Sequence, residues 1–292
     1  MGCEMLRAAR FALCLMLTCT FPSALLQAGD LEHLESELRA EYCGRVTTLR
    51  SFRSGGTLDF DSLGTALTNS KPDSWTISGE IEVTDLHLHN DQLQLRGKRL
   101  FLVYRGNRTF VTLFPVSAQV GNGLQITGTF EGKFKKLEKR RDVTITIHLQ
   151  PGMTEDSIRD MLKKVVAGPD ENISELVPYC WKFFLEGGEA KFPKPQGVFG
   201  PRDGVSPPHA RYTPEPQYPA LARAAMFQGL SVLRLIVDPT GKPTDIGIVI
   251  PLGLGLDDKA VEAVSQWRFD PAKKDGKPVA ARINVEVTFR LE

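Results

Sequence analysis

The sequence is poor in the residues that build metal and thiol chemistry: it holds five histidines and five cysteines in 292 residues. Neither Cys43 nor Cys180 stands in a C-x-x-C spacing suited to zinc. No G-x-S-x-G, H-E-x-x-H or P-loop occurs, and Gly253-Leu254-Gly255 lacks the third glycine and preceding strand of a dinucleotide fingerprint. Charge of one sign is lacking as well. Lys and Arg number 36 against 35 Asp and Glu, a net charge of +1, so no global field draws the protein to nucleic acid. No uninterrupted apolar run reaches the ~20 residues that span a bilayer as a helix. Together these absences point away from an enzyme, from a resident cofactor or metal, and from a nucleic-acid partner. An enzyme assembled from spatially scattered residues of the N-terminal sheet ranks third among the readings.

The apolar set of 41%, with 26 glycines beside it, is that of a folding chain, and the length suits about two domains. Met1 to Ala28 opens with Arg7 and Arg10, runs apolar from Phe11 to Leu17 and patchily to Leu26, and carries Pro22 near its end. This is the layout of a secretory signal over 1–28, with an uncleaved leader anchoring the protein as the alternative. Cys3, Cys14 and Cys19 fall inside it, leaving Cys43 and Cys180 as a single pair in an oxidising compartment. Those two either close a long disulfide loop, for roughly 5 kcal/mol on the chain-entropy model, or stay as separate buried thiols.

Leu31, Leu34, Leu38 and Tyr42 have helical spacing and predict an amphipathic helix over 31–46. Between Thr47 and Gln150, short alternating runs punctuated by Gly55-Gly56, Asn90-Asp91, Gly106-Asn107 and Gly121-Asn122-Gly123 predict six to eight antiparallel strands. Thr154 reads as the N-cap of a helix with Ile158, Met161, Leu162, Val165 and Val166 on one face. The aromatic run Val177–Leu185 reads as a short core helix packed on that sheet. Residues 193–216 hold seven prolines, which cannot build a core and predict a semi-rigid spacer. The domains expected are therefore 30–192, mainly antiparallel β with flanking helices and no assignable role, and 217–292, joined by this linker.

The last segment begins with a short helix from Pro219 carrying Leu221, Ala222, Ala225 and Met226, ended by Gly229. A hairpin follows, Leu230–Asp238 and Thr244–Ile250 around Asp238-Pro239-Thr240-Gly241-Lys242. A second helix starts with Asp257 as N-cap and buries Ala260, Val264 and Trp267. Finally Ile283, Val285, Val287, Phe289 and Leu291 alternate with Arg282, Asn284, Glu286, Thr288 and Arg290, one dry face and one wet.

The order Tyr218-Pro219, Gly229, Val237-Asp238, Gly241, Leu256-Asp257, Ala263-Val264, Trp267-Arg268-Phe269-Asp270-Pro271, Gly276, Pro278 and the closing strand resembles the C-terminal domain of TonB-family energy transducers over about residues 211–292. The resemblance implies an α+β chain whose last part is an α-β-β-α-β unit with a three-stranded antiparallel sheet. It also implies a periplasmic protein linked to transmembrane transport, which docks an outer-membrane transporter or other envelope protein by β-strand addition. Pro251-Leu252-Gly253-Leu254-Gly255 stands where the family often has a Ser-rich turn, so no contact is assigned to it. A strand at the chain's end can accept a visitor on its free edge, here Arg282 to Leu291. About five added hydrogen bonds at ~1 kcal/mol net each, less ordering costs, give micromolar binding at best. The same edge could pair with a second copy as a homodimer.

A rival reading is a carbohydrate- or lipid-binding module built on the N-terminal sheet. Lys133, Lys135, Lys136, Lys139, Arg140 and Arg141, opposed by Glu138 alone, form either a solvated hairpin tip or a peripheral membrane contact over 133–141. Asp85, His87, His89 and Asp91 alternate on one strand face near enough to share an ion, but a wet face gives the same pattern, and no metal is assigned to them.

Overall fold

The computed structural model describes residues 28–117, 120, 121, 124–130, 132 and 134–291. All of the expected leader but Ala28, the Asn122-Gly123 turn and Lys133 lie outside these residues. Among the described residues no helix is long and apolar enough to cross a membrane.

The chain runs α1 (Ala28–Tyr42), β1 (Val46–Thr48), β2 (Thr57–Phe60), α2 (Trp75–Ser78), β3 (Glu80–Leu88), β4 (Gln92–Arg99), β5 (Leu102–Gly106), β6 (Thr109–Thr112), β7 (Ile126–Thr129) and β8 (Asp142–His148). It continues with α3 (Glu155–Val165), α4 (Tyr179–Glu186), β9 (His209–Tyr212), α5 (Ala220–Ala224), β10 (Gly229–Val237), β11 (Pro243–Ile250), α6 (Leu256–Ser265), β12 (Arg268–Asp270), β13 (Ala272–Lys274), β14 (Lys277–Val279) and β15 (Ala281–Phe289). The α+β class holds, with α5-β10-β11-α6-β15 as the C-terminal frame.

A five-stranded sheet, order β1-β3-β4-β8-β2, carries α1 and α3 on its apolar face. Leu34, Leu38 and Tyr42 of α1 and Ile158, Met161, Leu162 and Val165 of α3 meet Leu86, Leu93, Leu95, Ile145 and Ile147 there. The period of 3.6 on the helices and of 2 on the strands supplies these residues to one side. Thr154 caps α3 as its position predicts, accepting the Ser157 amide at 3.3 Å. Not every N-terminal pairing is antiparallel: β2 runs parallel to β8, and β6 parallel to β7.

A second core joins the two halves of the chain. Trp75, Phe101, Phe110, Trp181 and Phe184 pack in one cluster with Leu233, Leu235, Leu254, Leu256, Val264 and Phe289. Helix α4 packs on the N-terminal strands as expected, with Phe184 edge-on to Tyr104 of β5 and Phe110 of β6, and its other side lies against β11, where Phe183 sits over the guanidinium of Arg234 at 4.3 Å. Residues 193–216 are not a free spacer. Phe199 forms a parallel bridge with Ala281, Ser206 exchanges hydrogen bonds with Lys273, β9 pairs with β12, and Trp267 Nε1 donates to the Pro214 carbonyl. Proline removes donors but leaves carbonyls and the amides between, which is enough to dock the segment on a sheet.

Three helix boundaries differ from the sequence expectation. Helix α1, expected over 31–46, ends at Tyr42, and Val46 opens β1. The first C-terminal helix ends at Ala224 and the chain turns at Met226, φ +52°, so Gly229 opens β10. Asp257 is not the cap of α6. Gly255, at φ +75°, holds that position, and Asp257 lies inside the first turn, fully buried.

The disulfide is absent. Cys43 packs against the core beneath the five-stranded sheet and Cys180 against the shared core, and both thiols are free. Burial raises both, Cys180 to about 12.

Candidate functional site

The closing strand positions the candidate edge. Along β15, Val287 and Phe289 are buried, Ile283 and Val285 half-buried, and Asn284, Glu286 and Thr288 exposed, the dry and wet faces that the alternation predicts. Its inner side pairs with β10 from Val237↔Ala281 to Gly229↔Phe289. In a strand, successive amides point to opposite sides. The Arg282 amide donates outward to the Phe199 carbonyl at 2.7 Å, and the Phe199 amide donates to Ala280 at 2.9 Å. The even-numbered residues therefore face away from β10. Phe199 occupies the first rung of this outer border. Beyond it, the amides and carbonyls of Asn284, Glu286 and Thr288 have no backbone partner among the described residues.

The far end of the border opens into a cavity of about 1000 Å³ between β15 and the stretch before α5. Tyr218 stands edge-on to Phe289 with ring centroids 5.6 Å apart, its hydroxyl donates to the Phe227 carbonyl, and Arg223 lies over its ring at 5.2 Å. Arg223, Arg290 and Glu215 line this space, and the Leu291 amide donates to the Gln228 side chain at 2.9 Å. Arg282 reaches the Phe192 carbonyl from the opposite end. The structure thus brings the edge residues 282–291 into one continuous line, with its start covered and its middle exposed.

The other groups singled out in the sequence go elsewhere. Asp85 and His87 form an ionic clasp: Asp85 accepts from Arg39 of α1 at 2.5 Å and meets His87 Nε2 at 2.8 Å, while His87 Nδ1 lies 3.4 Å from Glu35. His89 and Asp91 are exposed in the turn that follows, and no group able to hold a metal ion occurs among the described residues. The basic run splits. Lys135, Lys136, Lys139 and Arg140 are exposed on a 3-10 turn over Lys135–Arg140. Arg141 turns inward to the Arg99 carbonyl, to Glu82 at 3.7 Å and to the Phe114 ring.

What sequence reading missed is the seam between the halves. Asp257 accepts the Ser231 hydroxyl at 2.7 Å and the amides of Leu252 and Gly253 at 2.9 and 2.7 Å. It thereby fixes the 251–255 turn, which bonds to β5 through Leu254 N–H to Leu102 O and Tyr104 N–H to Leu252 O. Asp258 accepts from Ser74 and, at 3.3 Å, from Trp181 Nε1. Burial pushes Asp257 up to about 7 and Asp258 upward. The apolar character of the turn and the aromatic run 177–185 were the signals available.

Residues 214–291 match the family described as Gram-negative bacterial TonB protein C-terminal. Protein TonB of Vibrio cholerae serotype O1 is 35% identical over 79 residues, 27% of this chain and 32% of that protein. Protein tonB2 of Pseudomonas aeruginosa is 37% identical over 81 residues, 27% and 30% respectively. The solution NMR structure of the Pseudomonas aeruginosa TonB CTD has 23% identity and a TM-score of 0.25, covering 32% of this chain and 93% of that one. The chain spans about a third of the length of the curated relatives it matches. Its final segment, which carries β15 and the exposed border, is therefore the part similar to the C-terminal domain of TonB proteins.

Proposed function

We propose that the protein works in the cell envelope in a TonB-like role, recognising an outer-membrane transporter or another envelope protein by accepting an extended segment on the outer border of β15. The observation that carries this reading is the row of outward amides and carbonyls at Asn284, Glu286 and Thr288, without backbone partners among the described residues. The similarity of residues 214–291 to TonB proteins supports the setting. Such a row adds a handful of hydrogen bonds at ~1 kcal/mol net each, less the cost of ordering the visitor, so the complex is weak and reversible.

Peptides spanning periplasm-facing segments of outer-membrane transporters, titrated against the protein, test the proposal. Thr288→Pro removes an outward amide and should abolish binding while circular dichroism stays unchanged. Undiminished binding by that variant would sink strand addition.

A further inference from the structure

Between the two halves lies a cavity of about 510 Å³, away from the β15 border. Such a volume lies within the range of small-molecule sites. The 54–56 turn, Arg99 and Phe101 wall it on one side, and Leu221 of α5 and Lys259 of α6 on the other. Ile77, Phe101 and Leu221 give it an apolar lining.

Arg99 in its wall is 2% exposed. Its guanidinium donates to three backbone carbonyls, those of Ser78, Arg53 and Gly55, at 2.8–2.9 Å, and to no carboxylate among the described residues. Carbonyl dipoles satisfy its hydrogen bonds without cancelling its charge, and a buried charge with no paired counter-charge disfavours the folded state. Burial accordingly lowers its pKa to about 10, with Asp73 the opposing influence. That carboxylate is itself engaged by the Ser78 hydroxyl and the Ser74 amide. At the rim, Lys139 and Arg140 are exposed and have no ion pair among the described residues, while Lys259 is paired with Glu262. In all, four cations line the cavity against two carboxylates, Asp73 and Asp142.

We propose that this cavity binds a phosphate ester carried on an apolar body: the anion meets Lys139 and Arg140 in the field of Arg99, and the apolar part lies on Ile77, Phe101 and Leu221. Guanidinium and ammonium together suit the several oxygens of a phosphate better than a single carboxylate. The apolar lining demands more than inorganic phosphate. The ester is either a membrane phospholipid or a soluble organic phosphate.

The test uses monomeric dihexanoyl phosphatidic acid, inorganic phosphate, and phosphatidylcholine vesicles with and without phosphatidylglycerol. Two double variants accompany the wild type, Lys139→Glu with Arg140→Glu, and Lys135→Glu with Lys136→Glu from the same basic turn but outside this cavity. Calorimetry should show saturable one-to-one binding of the short-chain ester, weakened roughly tenfold or more in the first double variant and within about twofold in the second. Inorganic phosphate should bind at least about tenfold more weakly than the ester. Sedimentation with phosphatidylglycerol vesicles that only the first double variant loses assigns a membrane lipid; ester binding without sedimentation assigns a soluble phosphate. The proposal is overturned by a lack of saturable ester binding, by equal weakening in both double variants, or by inorganic phosphate binding as tightly as the ester.

Discussion

Val287 and Thr288 are adjacent in β15 and have opposite duties. The Val287 amide points into the ladder with β10 opposite Ser231, whereas the Thr288 amide points to the outer border. Val287→Pro should therefore cost at least ~2 kcal/mol in urea melts, by removing a ladder bond and crowding a buried position. Thr288→Pro should cost less than about 1 kcal/mol and spend its effect on partner binding. Asp257 makes a second residue-scale prediction. Its carboxyl holds its proton up to about pH 7 in the folded chain, above the unfolded value of 3.8. The stability this adds is present below about pH 4 and is lost as pH rises toward 7. The melting temperature of the wild type should fall relative to that of Asp257→Asn from pH 4 to pH 8. A relative rise over that range would mean that the three donors hold the group as a carboxylate.

At the scale of the element, β15 reads as two borders with different protection. Amides at 283, 285 and 287 face β10, and that of Arg282 is held by Phe199, so all four should exchange slowly with deuterium. Those of Asn284, Glu286 and Thr288 should exchange faster by at least about tenfold, and uniform protection along the strand would show the border covered. Helix α4 carries a related expectation. Cys180 packs from α4 against the shared core and Cys43 lies behind α1 in the other core. Alkylation after denaturation without reductant should label both cysteines, and peptide mass spectrometry distinguishes this from a crosslink. The alternation of β15 was legible in the sequence because a period of two survives any packing. Which border stays open was not, because that depends on where the segment 193–216 lies.

At the scale of the molecule, the N-terminal and C-terminal parts share one apolar cluster instead of hanging from a linker. Unfolding in urea should follow a single transition by tryptophan fluorescence and by circular dichroism. Gly253 is the sensitive point of the seam. Its φ is +94°, and a Cβ there would stand 2.2 Å from the Leu102 carbonyl oxygen. Gly253→Ala should destabilise by more than ~2 kcal/mol, measured by the same melts, and two separate transitions in the wild type would contradict the shared core. The shared packing also explains the cavity beneath Arg99, whose walls come from parts of the chain more than a hundred residues apart.

Local chemistry determined much by itself: the amphipathic faces of α1 and α3, the cap at Thr154, the hairpin around Gly241 and the two-faced last strand. Each depends on neighbours within a few residues, so spacing alone reveals it. The motif order over the last eighty residues likewise carries the similarity to TonB C-terminal domains. Only the tertiary structure decided that α4 bridges the N-terminal strands and the C-terminal sheet, that Asp257 ties a turn instead of capping a helix, that the cysteines stay apart and that the proline-rich stretch is docked. Those outcomes come from long-range burial, where an aromatic run or a carboxylate finds its partner by shape and desolvation, and nothing in sequence spacing records which distant surface it will meet.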